Sequence, residues 1–256
     1  MLLPCEVRLY LTRPQILLVC VVIMAQLFQE AQAEDFFFNH ESNGTTGKII
    51  IDGVVVGGQN NSFTKGSGKR SEENRALPNF KQIRVVGGVD VIYNQNSSAL
   101  VKISGDDNII PIIETTVDGE ILNITTKKSY SSQLPITLQI TSPSLLAIFL
   151  DGSGKFTIDN INSPQLLVNI SGSSTFTASG KVNNIEIQIS GAGDVNTQSL
   201  DANEVALNII GSGDLRVTAH KKLTATLLGS GEVKYFGNPG IIEKNIIGAG
   251  EVVPGE

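Results

Sequence analysis

Tryptophan is absent from this 256-residue chain, and cysteine and histidine occur only twice each. Each shortage removes a class of chemistry. Cys5 and Cys20 both stand in the first 20 residues, within a segment that reads as a removable leader. The chain beyond it therefore has no disulfide framework, no thiolate zinc site and no cysteine nucleophile. His40 sits in a loose Asn- and Gly-containing stretch, and His220 stands beside Lys221 and Lys222. Neither lies near a serine in a strained nucleophile turn, so a Ser-His-Asp arrangement is not supplied. No Gly-Lys-Ser/Thr phosphate cradle occurs, and no helical pattern follows any Gly-x-Gly. Aromatic residues make up only 5%. Acidic residues outnumber basic ones, 25 to 19, which argues against nucleic acid or anionic lipid as a partner. Between residues 80 and 253 no 3.6-residue apolar period is sustained, so almost no helix is expected.

At the N-terminus, Arg8 and Arg13 precede an apolar run from Pro14 to Phe28, and Ala31-Gln32-Ala33 forms a small-x-small site. This pattern predicts a secretory signal peptide over 1–33, with the mature chain starting at Glu34. The run falls short of the ~20 residues a membrane span requires, so no span is expected after cleavage. A lipid-attached Cys20 is disfavoured by the bulky Val19 before it. Cleavage would remove Glu6, Arg8, Arg13 and Glu30, leaving the net charge of −6 unchanged.

From Leu146 to Val253 one short phrase recurs six times. Its first glycine stands at 152, 172, 191, 211, 229 and 248, a spacing of 18 to 20 residues. Such a period is the mark of a solenoid, in which each repeat is one coil stacked on the last. Six residues before the glycine stand Leu146, Leu166, Ile185, Val205, Leu223 and Ile242, and two before it Leu150, Ile170, Ile189, Ile209, Leu227 and Ile246. Four before it the series runs Ile148, Val168, Ile187, Leu207, Ala225 and Lys244. The position between, in coils two to six, is Asn169, Gln188, Asn208, Thr226 and Asn245. This period-two alternation predicts a strand with one buried face. Four residues after the glycine come Phe156, Phe176, Val195, Leu215, Val233 and Val252, the start of a second strand. The Gly-x-Gly pair is the corner between them. The second coil has Ser174 in place of the second glycine, which is expected to loosen that corner. Lys244 breaks an inward column in the last coil, as a terminal coil requires.

Ahead of the repeats, residues 34–75 read as a flexible or low-complexity segment. Within it Ile49–Val56 is the one strand candidate, and 66–75 reads as linker. Residues 76–143 read as a less regular β part, and 144–253 as six coils of one solenoid domain spanning 76–256. Ile83 to Tyr93 already carries a strand, double-glycine, strand order, and Asp118-Gly119 is a hairpin signal. The fold class predicted is all-β, a parallel β-helix-like solenoid with coils of about 19 residues.

Phe80-x-x-Ile83-x-Val85 running into Gly87-Gly88-Val89-Asp90-Val91, the Gly-x-Gly-Asp/Glu repeats, and Tyr235-Phe236-Gly237-Asn238-Pro239 followed by Gly248-Ala249-Gly250-Glu251 carry a resemblance. Over residues 76–253 the chain resembles the auto-transporter adhesin "head GIN domain" family of bacteria. The resemblance implies an exported bacterial protein with a right-handed β-helix-like fold in two linked parts. It supplies no catalytic residue set.

The candidate metal site is an acidic column. Three residues after the first glycine come Lys155, Thr175, Asp194, Asp214, Glu232 and Glu251. In-register stacking would line up four carboxylates, Asp194, Asp214, Glu232 and Glu251, which could recruit calcium. The alternative is solvated turn residues. Calcium-binding β-rolls use a nine-residue repeat, about half the period here. No catalytic residue and no cofactor are expected. The five Asn-x-Ser/Thr sites, at Asn43, Asn60, Asn96, Asn123 and Asn169, follow from an Asn-rich composition rather than from glycosylation. The reading is a non-enzymatic module, periplasmic, surface-exposed or secreted, that contacts a cell-surface glycan or an envelope protein or serves as scaffold. The alternative classes are a carbohydrate-processing β-helix enzyme, which two carboxylates could serve, and a calcium-binding β-roll.

Overall fold

The computed structural model describes residues 63–255, together with the backbone of three earlier strands. The expected signal peptide lies outside the described residues. The chain divides into two units, Met1–Ser62 and Phe63–Glu256. In the first, β1 (Phe36–Asn39), β2 (Lys48–Ile51) and β3 (Val54–Gly57) form an antiparallel sheet in that order. The single strand expected over Ile49–Val56 is thus two antiparallel strands.

The second unit is a β-solenoid. Its opening rung is β6 (Gln82–Gly87) and β7 (Asp90–Gln95). The chain then makes an excursion through β8 (Leu100–Asp106), β9 (Ile113–Asp118), β10 (Ile121–Thr126), β11 (Tyr130–Ser131) and β12 (Thr137–Ser142). The single helical turn among the described residues, a 3-10 turn at Ile110–Ile112, falls in this excursion. The chain returns as β13 (Ala147–Gly152), which pairs parallel with β6 so that Ile83 meets Ile148 and Gly87 meets Gly152. From there it climbs through four long bent strands, β14 (Lys155–Gly172), β15 (Thr175–Gly191), β16 (Asp194–Gly211) and β17 (Leu215–Gly229). Each crosses from one face of the solenoid, through a bulged return, to the next coil of the other face. The last rung is β18 (Glu232–Phe236), β19 (Ile241–Gly248) and β20 (Glu251–Pro254).

Period-two burial makes the core. The columns Ile148–Val168–Ile187–Leu207–Ala225, Leu150–Ile170–Ile189–Ile209–Leu227 and Phe156–Phe176–Val195–Leu215–Val233–Val252 are all buried. Each coil is held by its neighbours' side chains rather than its own, at roughly 1.5–3 kcal/mol per fully buried aliphatic or aromatic residue. Three inward residues depart from expectation at the ends. Leu146 precedes the start of β13 pairing and lies only partly buried, and Leu145 is buried in its stead. Ile242 and Ile246 are exposed because, among the described residues, no further coil covers β19.

The corners are glycine for two reasons. The first glycine of every phrase has φ between +118° and +146°, a region side chains avoid. The second lies tight on the coil before it: a Cβ on Gly213 would collide with the Gly193 carbonyl. Ser174, expected to loosen its corner, instead ties it. Its buried hydroxyl donates to the Gly152 carbonyl at 3.1 Å and accepts the Gly154 N–H at 3.4 Å.

The N-terminal end is closed by the excursion. β10 pairs with β6 and, through the Asp118-Gly119 turn, with β9. On the other face β12 joins β7 to β8. The stretch 66–75, expected as linker, contributes strand β5 (Arg70–Ala76), antiparallel to β8. It holds without an apolar core residue because all seven of its residues pair with β8 and its side chains anchor. Arg75 donates to the carbonyls of Ile113 (2.7 Å) and Ile110 (3.2 Å) and to Thr115 Oγ1 (3.1 Å). Behind it, β4 (Thr64–Lys65) pairs with β11. Asp106, 0% exposed, ties these segments together. The Gly68 N–H reaches its Oδ1 at 2.6 Å, and the Gln133 and Leu134 N–H groups reach its Oδ2 at 2.9 and 3.1 Å.

Candidate recognition face

The residues of the acidic column stack coil on coil. Thr175 is opposite Asp194, Glu232 is opposite Glu251, and the Asp214 N–H donates to Asp194 Oδ1 at 3.3 Å. Asp90 heads the same column, its Oδ1 accepting the Lys155 N–H at 3.1 Å. Asp194, Asp214 and Glu251 are exposed, and Glu232 pairs with Lys234 at 3.0 Å. Among the described residues, no three His, Cys, Asp or Glu side chains converge as a metal would require. His220 also faces solvent, with Nε2 3.4 Å from Asp201 Oδ1. His40 lies outside the described residues.

A different surface carries the most developed chemistry. The strands β13 to β17 and β19 present four outward columns on the face ahead of the glycine corner. Nearest the corner run Asp151, Ser171, Ser190, Ile210, Leu228 and Ile247. Next come Phe149, Asn169, Gln188, Asn208, Thr226 and Asn245, with Asn169 Nδ2 donating to Gln188 Oε1 at 3.1 Å. The guanidinium of Arg84 lies 5.2 Å over the Phe149 ring at the head of that column. The third column holds Leu167, Glu186, Ala206, Thr224 and Glu243, and the fourth Gln165, Asn184, Glu204, Lys222 and Ile241. Stacking thus lays six side-chain amides on one face, at the strand spacing of ~4.8 Å.

The third and fourth columns border a groove of about 520 Å³, which Leu146 closes at one end. Glu186 and Glu204 are diagonal neighbours in it, since Asn184 is opposite Glu204 and Glu186 opposite Ala206. Glu186 accepts the Gln188 amide at 2.7 Å. Lys222 turns to Glu243 at 3.0 Å. That ammonium, together with the Thr224 hydroxyl, holds the Glu243 carboxyl below its ordinary pKa. The sequence identified the amide column but not the groove. Its residues lie beyond the recognisable phrase, and only the register shows that they meet. Continuing the period-two alternation five and seven residues back from each glycine would have found them.

No helix among the described residues is long and apolar enough to cross a membrane. No curated protein matches the chain. Solved structures share the fold. One is an adhesin described as putative from Bacteroides fragilis NCTC 9343, with TM-score 0.60, 23% identity, and coverage of 74% of this chain and 99% of that one. A second such adhesin, from Parabacteroides merdae ATCC 43184, gives 0.55 and 22%, covering 76% and 99%. A protein from Parabacteroides distasonis ATCC 8503, described as a putative lipid binding protein, gives 0.52 and 21%, covering 76% and 100%. The family model described as "Putative auto-transporter adhesin, head GIN domain" matches residues 79–239. Family and fold together support a surface or adhesion-like module. With the match covering more than half its length, the chain belongs to the head GIN domain family.

Proposed function

We propose that this is an exported, non-catalytic recognition module that lays its amide-rich face along an extended glycan of the cell surface. The observation that carries the reading is the in-register amide row, Gln165 and Asn184 along the groove and Asn169, Gln188, Asn208 and Asn245 beside it. Each carboxamide donates and accepts, which suits the hydroxyl-dense edge of a sugar chain. The face has an axial repeat, and so does a polymer, so weak contacts at successive coils add through one ligand. Net charge −6 favours a neutral or basic chain over an acidic one. A glycan array with the mature protein tests this. Binding that weakens at least about tenfold, the effect of some 1.4 kcal/mol, in an Asn184→Ala/Asn208→Ala double variant supports the reading. Binding only to peptides on a parallel array would replace the glycan with an envelope protein.

A second reading, polysaccharide cleavage, rests on Glu186, Glu204 and Lys222 sharing the groove, since two carboxylates suffice for glycoside hydrolysis. Both acids are exposed, and the Lys222 ammonium is engaged with Glu243 rather than with either of them. Turnover of any polysaccharide that disappears in Glu204→Gln protein would establish it over the module.

A further inference from the structure

The two ends of the solenoid differ. At the N-terminal end the edge strands are β9 and β5. They carry Glu114 and Asp118, and Arg70, Glu72, Glu73 and Arg75. At the C-terminal end, among the described residues, β19 pairs only with β17 and β20 only with β18, so a row of backbone donors and acceptors is left open. Natural edge strands are usually short, charged or covered. Here β19 is eight residues long and exposes Ile241 (54%), Ile242 (40%), Ile246 (38%) and Ile247 (60%). Ile247 continues into exposed Leu228 and Ile210 on the coils beneath, which extends the apolar patch around the corner.

We infer that this open end is a docking surface for a second copy of the chain, formed by antiparallel pairing of β19 with β19 of that copy. Three features select this occupant. The strand reads Ile-Ile-Glu-Lys-Asn-Ile-Ile, an apolar pattern nearly the same in both directions. A two-fold axis through its centre therefore sets Ile241 and Ile242 beside the other copy's Ile247 and Ile246, an isologous contact that closes on itself. The two central charges are held back in their own chain: Glu243 bonds Lys222 and Thr224, and the Lys244 ammonium donates to the Val252 carbonyl at 2.6 Å and sits 5.2 Å from the Tyr235 ring centre. The charged N-terminal end matches this apolar end poorly, so head-to-tail stacking would desolvate β5 and β9 carboxylates against isoleucine. Pro254 removes a donor from the four-residue β20, so the eight-residue β19 is the longer pairing edge.

The test uses the protein as recovered after export. Sedimentation equilibrium up to about 100 μM, within the range of weak specific association, should show a monomer–dimer equilibrium with no larger species. An Ile241→Lys/Ile247→Lys variant should dissociate at least about tenfold more readily with an unchanged circular dichroism spectrum, and Ile210→Lys should change the constant much less. The mature chain is expected to lack cysteine, so an Asn245→Cys variant reports position directly. A short bis-maleimide should give a covalent dimer from Asn245→Cys and none from Glu73→Cys. A monomer throughout, open-ended polymers, the same constant in the double lysine variant, or a covalent dimer from Glu73→Cys as readily as from Asn245→Cys would each overturn the inference.

Discussion

A β-carbon placed on Gly211 would fall within the carbonyl oxygen of Gly191, one coil below. The same relation links Gly152 to Gly87, Gly172 to Gly152, Gly191 to Gly172, Gly229 to Gly211 and Gly248 to Gly229. Coil spacing at this corner is therefore set by backbone against backbone, and no side chain fits between.

Gly211→Val combines that collision with a φ of +139°. The expected loss is a few kcal/mol, because strain of ~1–3 kcal/mol adds to displacement of the neighbouring coil. Thr226→Ser, on an outward column, should change stability by under about 0.5 kcal/mol. Urea unfolding of both variants checks the pair, and equal tolerance would contradict the corner register.

These corners were legible because the glycine phrase and the period-two alternation repeat together, so one coil predicts the next. The opening rung was half legible. Ile83 to Tyr93 carries the coil's order, but about fifty residues separate it from β13, and only pairing shows that Gly87 heads the glycine column. Strand β5 was illegible because Arg-Ser-Glu-Glu-Asn-Arg has no apolar face, and Arg75 and backbone pairing supply what burial does not. The groove was hidden for a different reason: Glu186, Glu204 and Lys222 are ordinary surface residues until stacking brings them together.

At position 174 the structure predicts against consensus. Ser174→Gly restores the residue found in the other five coils, yet it removes the hydroxyl that serves both the Gly152 carbonyl and the Gly154 N–H. A loss of about 0.5–1.5 kcal/mol is expected, with added backbone freedom in the unfolded chain acting in the same direction. A rise in the denaturation midpoint would show that the hydroxyl contributes nothing.

Asp106 gives the fold an acid limit. Burial works to raise its pKa, but the N–H groups of Leu134, Gly68 and Gln133 outweigh burial and hold it below the ordinary aspartate value. A carboxyl whose folded pKa is depressed contributes stability above its unfolded value and loses it as pH falls through the folded one. Stability should therefore decline with acid from just below pH 4, where an unperturbed aspartate titrates. In Asp106→Asn this part of the decline should flatten while the midpoint at neutral pH falls. Parallel pH profiles for the two proteins would remove Asp106 as the cause.

The acidic column yields the last prediction. Like charges ~4.8 Å apart repel by about 0.9 kcal/mol in water. Asp214 has Asp194 on one side, whose Oδ1 accepts its N–H, and the Glu232 position on the other. With no third ligand converging there among the described residues, the repulsion remains on the Asp194 side, Glu232 being paired with Lys234, and solvent screens it. Asp214→Asn should then raise the melting temperature slightly, by less than the equivalent of about 1 kcal/mol, and more at low salt than at high. Millimolar calcium should leave both proteins' melting temperatures where they were. A bound ion stabilises the folded state in proportion to the logarithm of its saturation, so a calcium-dependent rise in the parent protein that vanishes in Asp214→Asn would make the column a calcium site. The two outcomes have opposite signs, and one calorimetric series in calcium and in chelator separates them.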